Sequence, residues 1–538
     1  MIMQPDLMIV NARIWTGEPA MPYAEALAIK DDLIIAIGSN DQIRSIQGRH
    51  TKVLDAAGHQ VLPGFIDNHT HLMVGGFQLL TLDLRAVESK AEFIQAIAAR
   101  AAHIPQGQWI TGGGWNNDQW AQSPTPVKEW IDSFTSHIPV FVTRSDLHMG
   151  FANSAALCLA GIGRTTANPL GGAIERDPWS GEPNGILKDN AMKLVQQCMP
   201  TPSEQQYNEA LAAAMQHAAR MGITSVQDIT AWNDWHDWET FRRFQQEQKL
   251  TLRIYARTQI TEWEKQVALQ EAGFCGDAWL RFGGVKGFVD GSLGSGTALM
   301  FEPYDDQPGT AGLLADQMYP AGIMQERIAA ADKAGLPVSI HAIGDKANHL
   351  LLDIFAAVIK ENGPRERRLR IEHAQHLLPE DIARMARLGI LASVQPGHVY
   401  EDGSWAKGRI GDRRCRMAYA FRSLWDAGVA VSFGTDWPVV PLNPFMGIYT
   451  AVTRQTQAGQ YPDGWVPEQK LSVGECLQAY TRGSAYAEFS ETSKGTLGIG
   501  KLADLILVSQ DVLTAQPENI VETRVICTIA GGRIVYQE

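Results

Sequence analysis

The chain has 538 residues, of which 45% are hydrophobic and 20% are charged, a balance typical of globular proteins and not of disordered or fibrous ones. This length exceeds a single core of ordinary size, so we expect a large domain and a smaller accessory domain. Lys and Arg total 46 against 59 Asp and Glu. Because a nucleic acid is bound through clustered cations, this acidic balance argues against a nucleic-acid partner.

The sequence predicts neither a membrane anchor nor a disulfide framework. No run of 18 apolar residues occurs, and residues 1–15 lack the basic and apolar regions of a secretory leader. We therefore expect no membrane partner and a cytoplasmic location. The six cysteines are far apart without a CxxC pair, which indicates reduced thiols and no zinc knuckle.

Both ends of the chain have the pattern of β structure. Residues 1–60 alternate apolar and polar positions between turn signals, which predicts short antiparallel strands. Residues 495–538 have the same pattern, and Gly531-Gly532 predicts a hairpin turn. Because strands at the two ends of a chain commonly pair, we predict one small discontinuous β-sandwich domain from these two segments.

Strand-like runs alternate with helical patterns between these ends, the order typical of β/α units and a parallel sheet. Eight such runs predict an α/β fold, a (β/α)8 barrel over residues 61–494. The segment from about 76 to 210 is too long for one connecting helix, so we predict an inserted subdomain that overhangs the barrel mouth. The candidate strands are residues 61–69, 222–228, 250–258, 280–290, 336–345, 368–375, 389–396 and 429–438.

Unusual polar residues occur at the carboxyl ends of five candidate strands, where a barrel of this type has its active site. In an extended chain, residues i and i+2 project to the same side, so His69 and His71 can reach one ion. Each residue alone has an ordinary structural explanation, but convergence at one end of the barrel is hard to produce by packing. The candidate ligands of a divalent metal are His69, His71, Lys286, His341, His373 and Asp436.

Several segments resemble a known family. VLPGFIDNHTH at 61–71 looks like the first-strand signature of the amidohydrolase superfamily, and GTD at 434–436 and GTLGIGKLADLILV are similar to its other signatures. VKGFVDGSLGSGTA, SIHAIGD, RIEHAQ and GTDWPV together resemble amidohydrolase family 3, the YtcJ-like and N-substituted formamide deformylase-like proteins. The similarity spans nearly the whole chain, including GGGWNNDQW and RSDLHMGFANSAAL in the insertion.

The resemblance implies a centre of one or two divalent ions, with zinc as the expected metal. By this resemblance, one ion is held by His69, His71 and Asp436, and a second by His341 and His373. It further implies that Lys286, the sixth candidate, bridges the two ions after carboxylation by carbon dioxide. Physical chemistry agrees, because a carbamate is anionic whereas a lysine ammonium has no lone pair for a metal. An uncarboxylated lysine leaves a mononuclear centre open.

The expected reaction is hydrolysis of the C–N bond of an amide, such as an N-substituted formamide or an N-acyl amine, by hydroxide formed at the metal. Asp436 is the expected general base and then acid. Hydrolysis of a cyclic amide, a carbamate or an ester is an alternative, since the same chemistry serves any activated carbonyl. A non-catalytic scaffold is an alternative of another class, but it has no need of six convergent polar groups.

The insertion supplies three candidates for contact with a small-molecule substrate. Trp115, Trp120 and His148 lie in segments that share the resemblance, and packing of the lid is the alternative for the tryptophans. Lys188-Asp189 departs from the family, where an acidic residue usually lies next to a small one, so the resemblance does not carry a substrate role over to these two residues.

Two further acidic residues are candidates to orient the ligands from behind. Asp290 and Asp345 closely follow two predicted ligands, and carboxylates there can orient an imidazole or a carbamate. We also expect a homodimer, only because homodimers are the commonest assemblies of soluble proteins.

Overall fold

The computed structural model describes residues 4–105, 107–230, 235–274 and 276–538. Cys275, one of the six cysteines of the sequence, lies outside the described residues. The other five are free thiols, as the sequence predicts. Among the described helices, none has the length and the hydropathy needed to cross a lipid bilayer.

Eight parallel strands form the central sheet, and neighbours in the chain are neighbours in the sheet. The first and last strands meet at their carboxyl ends, where Thr70 pairs with Trp437 and the backbone N–H of Asp436 donates to the carbonyl of His69 over 2.7 Å. The sheet is therefore a nearly closed barrel, and the predicted fold class is confirmed. Its strands are Phe65–Thr70, Ile223–Ile229, Arg253–Gln259, Leu280–Phe288, Val338–Ala342, Arg370–His373, Leu391–Val394 and Val431–Phe433.

The predicted first barrel strand is two strands in the structure. Gln60–Pro63 pairs antiparallel with Leu505–Val508 in the small domain, whereas Phe65–Thr70 pairs with the second barrel strand. The break falls at Gly64, where a Cβ atom would lie 2.3 Å from the Thr224 hydroxyl, so only glycine fits. Residues 61–63 thus belong to the small sheet and not to the barrel.

The two ends of the chain form two sheets that enclose a separate apolar core. The pairing is mixed, because Leu7–Val10 and Arg13–Trp15 each have a parallel neighbour as well as an antiparallel one. One sheet contains Leu33–Gly38, Ala26–Lys30, Leu7–Val10 and Lys52–Asp55 in that order. The other contains Arg533–Gln537, Val525–Ala530, Leu505–Val508, Gln60–Pro63, Arg13–Trp15 and Tyr23–Ala24.

Helices pack around the barrel through apolar residues at helical spacing. Glu204–Arg220 begins at a capping box formed by Ser203 and Gln206 and buries Tyr207, Leu211 and Ala214. The helices that follow barrel strands, or precede one after an insertion, are Leu72–Leu80, Glu204–Arg220, His236–Gln246, Trp263–Glu271, Ile323–Lys333, Asp345–Asn362, Pro379–Leu388, Pro396–Asp402, Ala406–Cys415, Phe421–Asp426, Pro444–Thr453, Val473–Gln478 and Ser484–Ala487. Asn40–Arg44 is a short helix of the small domain.

The insertion after the first barrel strand has a six-stranded sheet and an apolar core of its own. In sheet order its strands are Gly172–Arg176, Pro183–Asp189, Met149–Ala152, Val140–Arg144, Ile110–Trp115 and Leu82–Asp83. Its α-helices are Lys90–Ala101, Asp132–Thr135, Ser154–Leu159 and Lys193–Gln196. The candidate strand PVFVTRSD is Val140–Arg144 in this sheet.

Candidate metal centre

The closure of the barrel brings His69, His71 and Asp436 together. The Nε2 atoms of both histidines lie 3.3 Å from the same carboxylate oxygen, Oδ1 of Asp436. His69 is in the first strand, whereas His71 follows it at the start of the helix Leu72–Leu80. These three side chains have ligand atoms close enough to hold one metal ion.

A second possible ligand group shares the same carboxylate. His373, His398 and Asp436 also have ligand atoms close enough for one ion, and Nε2 of His398 lies 3.5 Å from Oδ2 of Asp436. Sequence reasoning missed His398. It lies in the helix Pro396–Asp402 directly after the seventh barrel strand, so extending the search beyond the strand ends would have found it.

His341 lies beside this second group without belonging to it. Its ring centroid is 4.5 Å from that of His373, and its Nε2 is 3.1 Å from the carbonyl oxygen of Gly291. A proton on Nε2 that is donated to this carbonyl leaves Nδ1 as the nitrogen with a lone pair. The equivalent atom of His373 is Nε2, because its Nδ1 lies 2.9 Å from the amide oxygen of Gln395.

Burial keeps the rings of His69 and His373 neutral, which is the form that binds metals. It lowers the pKa of His69 to about 3 and that of His373 well below the usual range. Both His373 and Asp436 have positive φ angles, of 71° and 63°. Such backbone strain in residues other than glycine is concentrated at functional sites.

The carboxylate of Glu372 contacts the ring nitrogen of His69 that does not face Asp436. It lies 2.6 Å from Nδ1 of His69, which directs Nε2 of the ring towards Asp436. Burial alone would raise the pKa of Glu372, but Arg257 and Arg370 hold it well below the usual range. Sequence reasoning did not select this glutamate, although it immediately precedes the predicted ligand His373 in the sixth strand.

Lys286 is fully buried in the fourth barrel strand. Its Nζ has no hydrogen-bond partner among the described residues. Burial lowers the pKa of its amine to about 7. A neutral amine is nucleophilic, so the environment is compatible with the reaction R–NH2 + CO2 → R–NH–COO⁻ + H⁺.

The donor set fits a divalent metal. Nε2 of His69, Nε2 of His398, Oδ1 of Asp436 and Nζ of Lys286 are all buried without a hydrogen-bond partner in the described part of the chain. A buried polar group without a partner is costly, so several of them around one carboxylate require an explanation. A bound cation would satisfy the imidazole and carboxylate atoms, and it would satisfy the lysine once a carbamate had formed.

A pocket opens over these groups, between the barrel mouth and the insertion. His148 lines it and is the predicted substrate contact that the structure places there. Its Nδ1 lies 2.6 Å from a carboxylate oxygen of Asp189. The pocket is lined by Asn116, Arg144, Ser145, Asp146, His148, Ser292, Leu293, Gly294, His341, Ile343, His373, Gln375, His398, Glu401, Asp402, Trp405, Asp436, Val439 and Val440.

The two tryptophans are placed elsewhere, which corrects the predicted contact with substrate. Trp115 and Trp120 pack around Phe93 in the core of the insertion, with ring centroids 6.0 and 5.5 Å from it. Trp120 also donates from its indole N–H to the carbonyl of Val87 over 2.9 Å. Neither belongs to the described lining of the pocket. The physical reason is that the insertion is large enough to need a core of its own.

The two acidic candidates, Asp290 and Asp345, both accept hydrogen bonds from backbone N–H groups. Asp290 accepts the backbone N–H groups of Ile343, Gly344 and Leu299, and it lies 3.5 Å from Nε2 of His341. It can therefore orient that imidazole as predicted. The contacts of Asp345 differ from the prediction, because it accepts the backbone N–H of Phe301 over 2.9 Å at the start of a helix.

Comparisons with known proteins agree with this fold. A family model described as the amidohydrolase family matches residues 52–536. The chain is 38% identical to Protein LONG AFTER FAR-RED 3 of Arabidopsis thaliana, over 99% of this chain and 91% of that protein. It is 32% identical to the putative amidohydrolase YtcJ of Bacillus subtilis (strain 168), over 96% of each.

Two further relatives bear on the chemistry. The chain is 29% identical to the N-substituted formamide deformylase of Arthrobacter pascens, over 99% of this chain and 98% of that enzyme. The solved structure of an uncharacterized metal-dependent hydrolase from Pyrococcus horikoshii superposes with a TM-score of 0.76 at 27% identity, covering 95% of this chain and 99% of that one.

The fold and the site thus define a metal-dependent hydrolase. More particularly, the chain belongs to the amidohydrolase family, and it is a hydrolytic enzyme acting on carbon–nitrogen bonds.

Proposed function

We propose that the protein hydrolyses the C–N bond of an N-substituted formamide or a related N-acyl amine. The observation that carries this proposal is the convergence of four buried ligand atoms without partners in the described part of the chain, two of which belong to His398 and Asp436 in the lining of a pocket. The N-substituted formamide deformylase is similar to this chain over nearly its whole length, which supports the substrate class.

One ion would be held by His69, His71 and Asp436, and a second by His341 and His373. When bound, a divalent ion such as zinc polarises a carbonyl and lowers the pKa of a water, so that hydroxide is available near neutral pH. His398, which faces the same carboxylate, is a further candidate ligand. Its Nε2 lies 3.5 Å from Oδ2 of Asp436.

Lys286 would connect the two halves of this donor set as a carbamate. It lies in the fourth strand, between the strands that carry the first and second groups, and it is buried. A mononuclear centre with an unmodified lysine is the alternative, and metal content per chain separates the two.

Asp436 would transfer the proton. The carboxylate faces four histidines and lines the pocket, so it would adjoin both the attacking water and the scissile bond of a bound substrate. It accepts the proton of the attacking water and returns it to the leaving nitrogen as the tetrahedral intermediate collapses. The products are a carboxylic acid, formic acid for a formamide, and an amine.

Hydrolysis of matched substrates tests this function. Protein stripped with a chelator and reloaded with zinc is assayed on a series of N-substituted formamides and N-acyl amines, and separately on cyclic amides, carbamates and esters. We expect turnover of the first series only when metal is present. Preferential turnover of the second series would replace the substrate class, and turnover by a protein that binds no metal would overturn the proposed role of the metal. The homodimer and the cytoplasmic location stay predictions.

A further inference from the structure

Two N–H groups of the pocket lining have no hydrogen-bond acceptor in the described part of the chain. They are Nε1 of Trp405 and Nε of Arg144, and both nitrogens are buried. An indole N–H and a guanidinium N–H are donors at every pH at which the protein is folded, so their role does not depend on titration. A buried donor without an acceptor is costly, and two of them in one pocket therefore require an explanation.

These two donors belong to the chain segments that overhang the barrel mouth. Trp405 immediately precedes the helix Ala406–Cys415 in the connection after the seventh barrel strand, and Arg144 ends the strand Val140–Arg144 of the insertion. Asp436 lines the same pocket from the barrel itself. A substrate whose amide bond lies at Asp436 and which fills the pocket would therefore present its substituent to the donors. In a formamide only the nitrogen carries a substituent.

The wall that carries the donors is held by ion pairs. Nη1 of Arg144 lies 2.7 Å from Asp146, and its Nη2 contacts Asp118, so that Nε is the nitrogen left without a partner in the described part of the chain. Asp118 also lies 3.3 Å from Arg409. The guanidinium carbon of Arg409 is 5.4 Å from the ring centroid of Trp405. One carboxylate thus connects the supports of both donors, which are in place before a substrate binds.

The charges of this wall indicate which acceptor it takes. The positive charge of Arg144 is already paired with Asp118 and Asp146, and Glu401 and Asp402 add two acidic groups to the pocket lining. An anionic substituent would meet these acidic groups without gaining an unpaired cation. An ammonium group has no lone pair to offer to an N–H donor. A neutral oxygen is the group that satisfies the donors without either penalty.

We propose that Trp405 and Arg144 form a subsite for an uncharged oxygen, such as an ether, hydroxyl or carbonyl oxygen, in the nitrogen substituent of the substrate. This inference rests on the proposed function and narrows its substrate class. Trp405 is the specificity-determining residue, because the other nitrogens of Arg144 also support the wall. A substrate with an alkyl substituent of the same length leaves both donors buried without an acceptor, and such a site discriminates against it.

Matched pairs of formamides test the subsite in the zinc-loaded protein. N-methoxyethylformamide is compared with N-butylformamide, and N-methoxypropylformamide with N-pentylformamide, so that an oxygen replaces one methylene group in each pair. In at least one pair we expect kcat/KM to be about 10-fold higher for the ether.

A conservative variant shows whether Trp405 causes this preference. Trp405→Phe keeps an aromatic ring beside Arg409 and removes only the N–H donor. We expect the preference for the ether to fall to about twofold or less in this variant. Trp425→Phe is the matched control, since Trp425 packs against the core and is not part of the described pocket lining. The control should keep the preference of the wild type.

The indole N–H resonance of Trp405 supplies a readout that does not depend on turnover. In zinc-loaded protein labelled with nitrogen-15 in its tryptophans, this resonance is assigned by its loss in Trp405→Phe. The protein is titrated with two product amines, methoxyethylamine and butylamine, which carry the same charge and differ in the oxygen. We expect methoxyethylamine to move the resonance downfield and butylamine to leave it in place.

The outcomes separate this inference from the proposed function. Equal kcat/KM within both pairs overturns the subsite, and so does a preference that Trp405→Phe retains. A wild type that hydrolyses no formamide overturns the proposed function. The amine titration then still decides the subsite, because a resonance that neither amine shifts shows that Trp405 binds no oxygen of the ligand.

Discussion

The barrel mouth and the insertion present polar and aromatic side chains to the same pocket under different constraints. At the mouth, the direction of each parallel strand decides where its last residues lie, and Asp436 meets His69 and His71 at 3.3 Å. The insertion lacks this common strand direction, because several of its strands pair antiparallel. It buries Trp115 in its own core and brings His148 to the pocket. Position in a repeated architecture therefore predicts a site better than residue type does.

The strongest test of the barrel half is Asp436→Asn. The amide can still contact a metal but cannot accept a proton, so we expect kcat to fall about 100- to 10,000-fold with a much smaller change in KM. Steady-state kinetics with metal analysis of the same sample makes the measurement. Turnover near wild type with metal retained would remove Asp436 from proton transfer.

Removing the buried amine tests whether the two ligand groups act as one centre. In Lys286→Ala we expect metal content, measured by elemental analysis, to fall from about two equivalents per chain to about one or fewer. Lys494→Ala is a control for loss of a buried lysine, because Lys494 pairs with Glu488 away from the pocket. A wild-type metal content of about one equivalent per chain that is unchanged in Lys286→Ala would establish a mononuclear centre.

Glu372→Gln tests the support behind the ligands. The amide no longer fixes the tautomer of His69 by charge, so we expect metal affinity to fall about 10- to 100-fold. The substitution also leaves Arg257 and Arg370 without their buried counter-charge, which lowers the free energy of unfolding by about 3–5 kcal/mol. Competition with a chelator measures the affinity and thermal denaturation measures the stability. Unchanged affinity in a destabilised protein would limit Glu372 to a structural role.

The smallest effect is expected at the core of the insertion. Trp120→Phe keeps an aromatic ring but loses the hydrogen bond to Val87, which lowers stability by about 1–2 kcal/mol. We expect kcat and KM to stay within twofold of wild type. A raised KM without loss of stability would show that Trp120 contacts the substrate.

The fold was predictable because eight strand patterns recur, and five of them have candidate ligands at their carboxyl ends. Three features were not predictable from the sequence. His398 lies on a helix beyond its strand, Glu372 has no partner visible in sequence, and the pairing of Gln60–Pro63 depends on residues near the other end of the chain. These positions are set by tertiary contacts, which local periodicity does not encode. Asp189 is a fourth case, since its departure from the family pattern gave no hint of His148.

The meeting of the first and last barrel strands has a consequence for biosynthesis. The hydroxyl and backbone N–H of Thr435 bind Asp67 across 368 residues of sequence, next to His69 and Asp436. At roughly 5–20 residues per second, a ribosome needs roughly 20–70 s after His71 to deliver Asp436. Until then the nascent chain has an incomplete ligand set, so a tight site for the first ion would form only in the last part of synthesis. A nascent chain arrested before the eighth strand should therefore hold zinc only weakly.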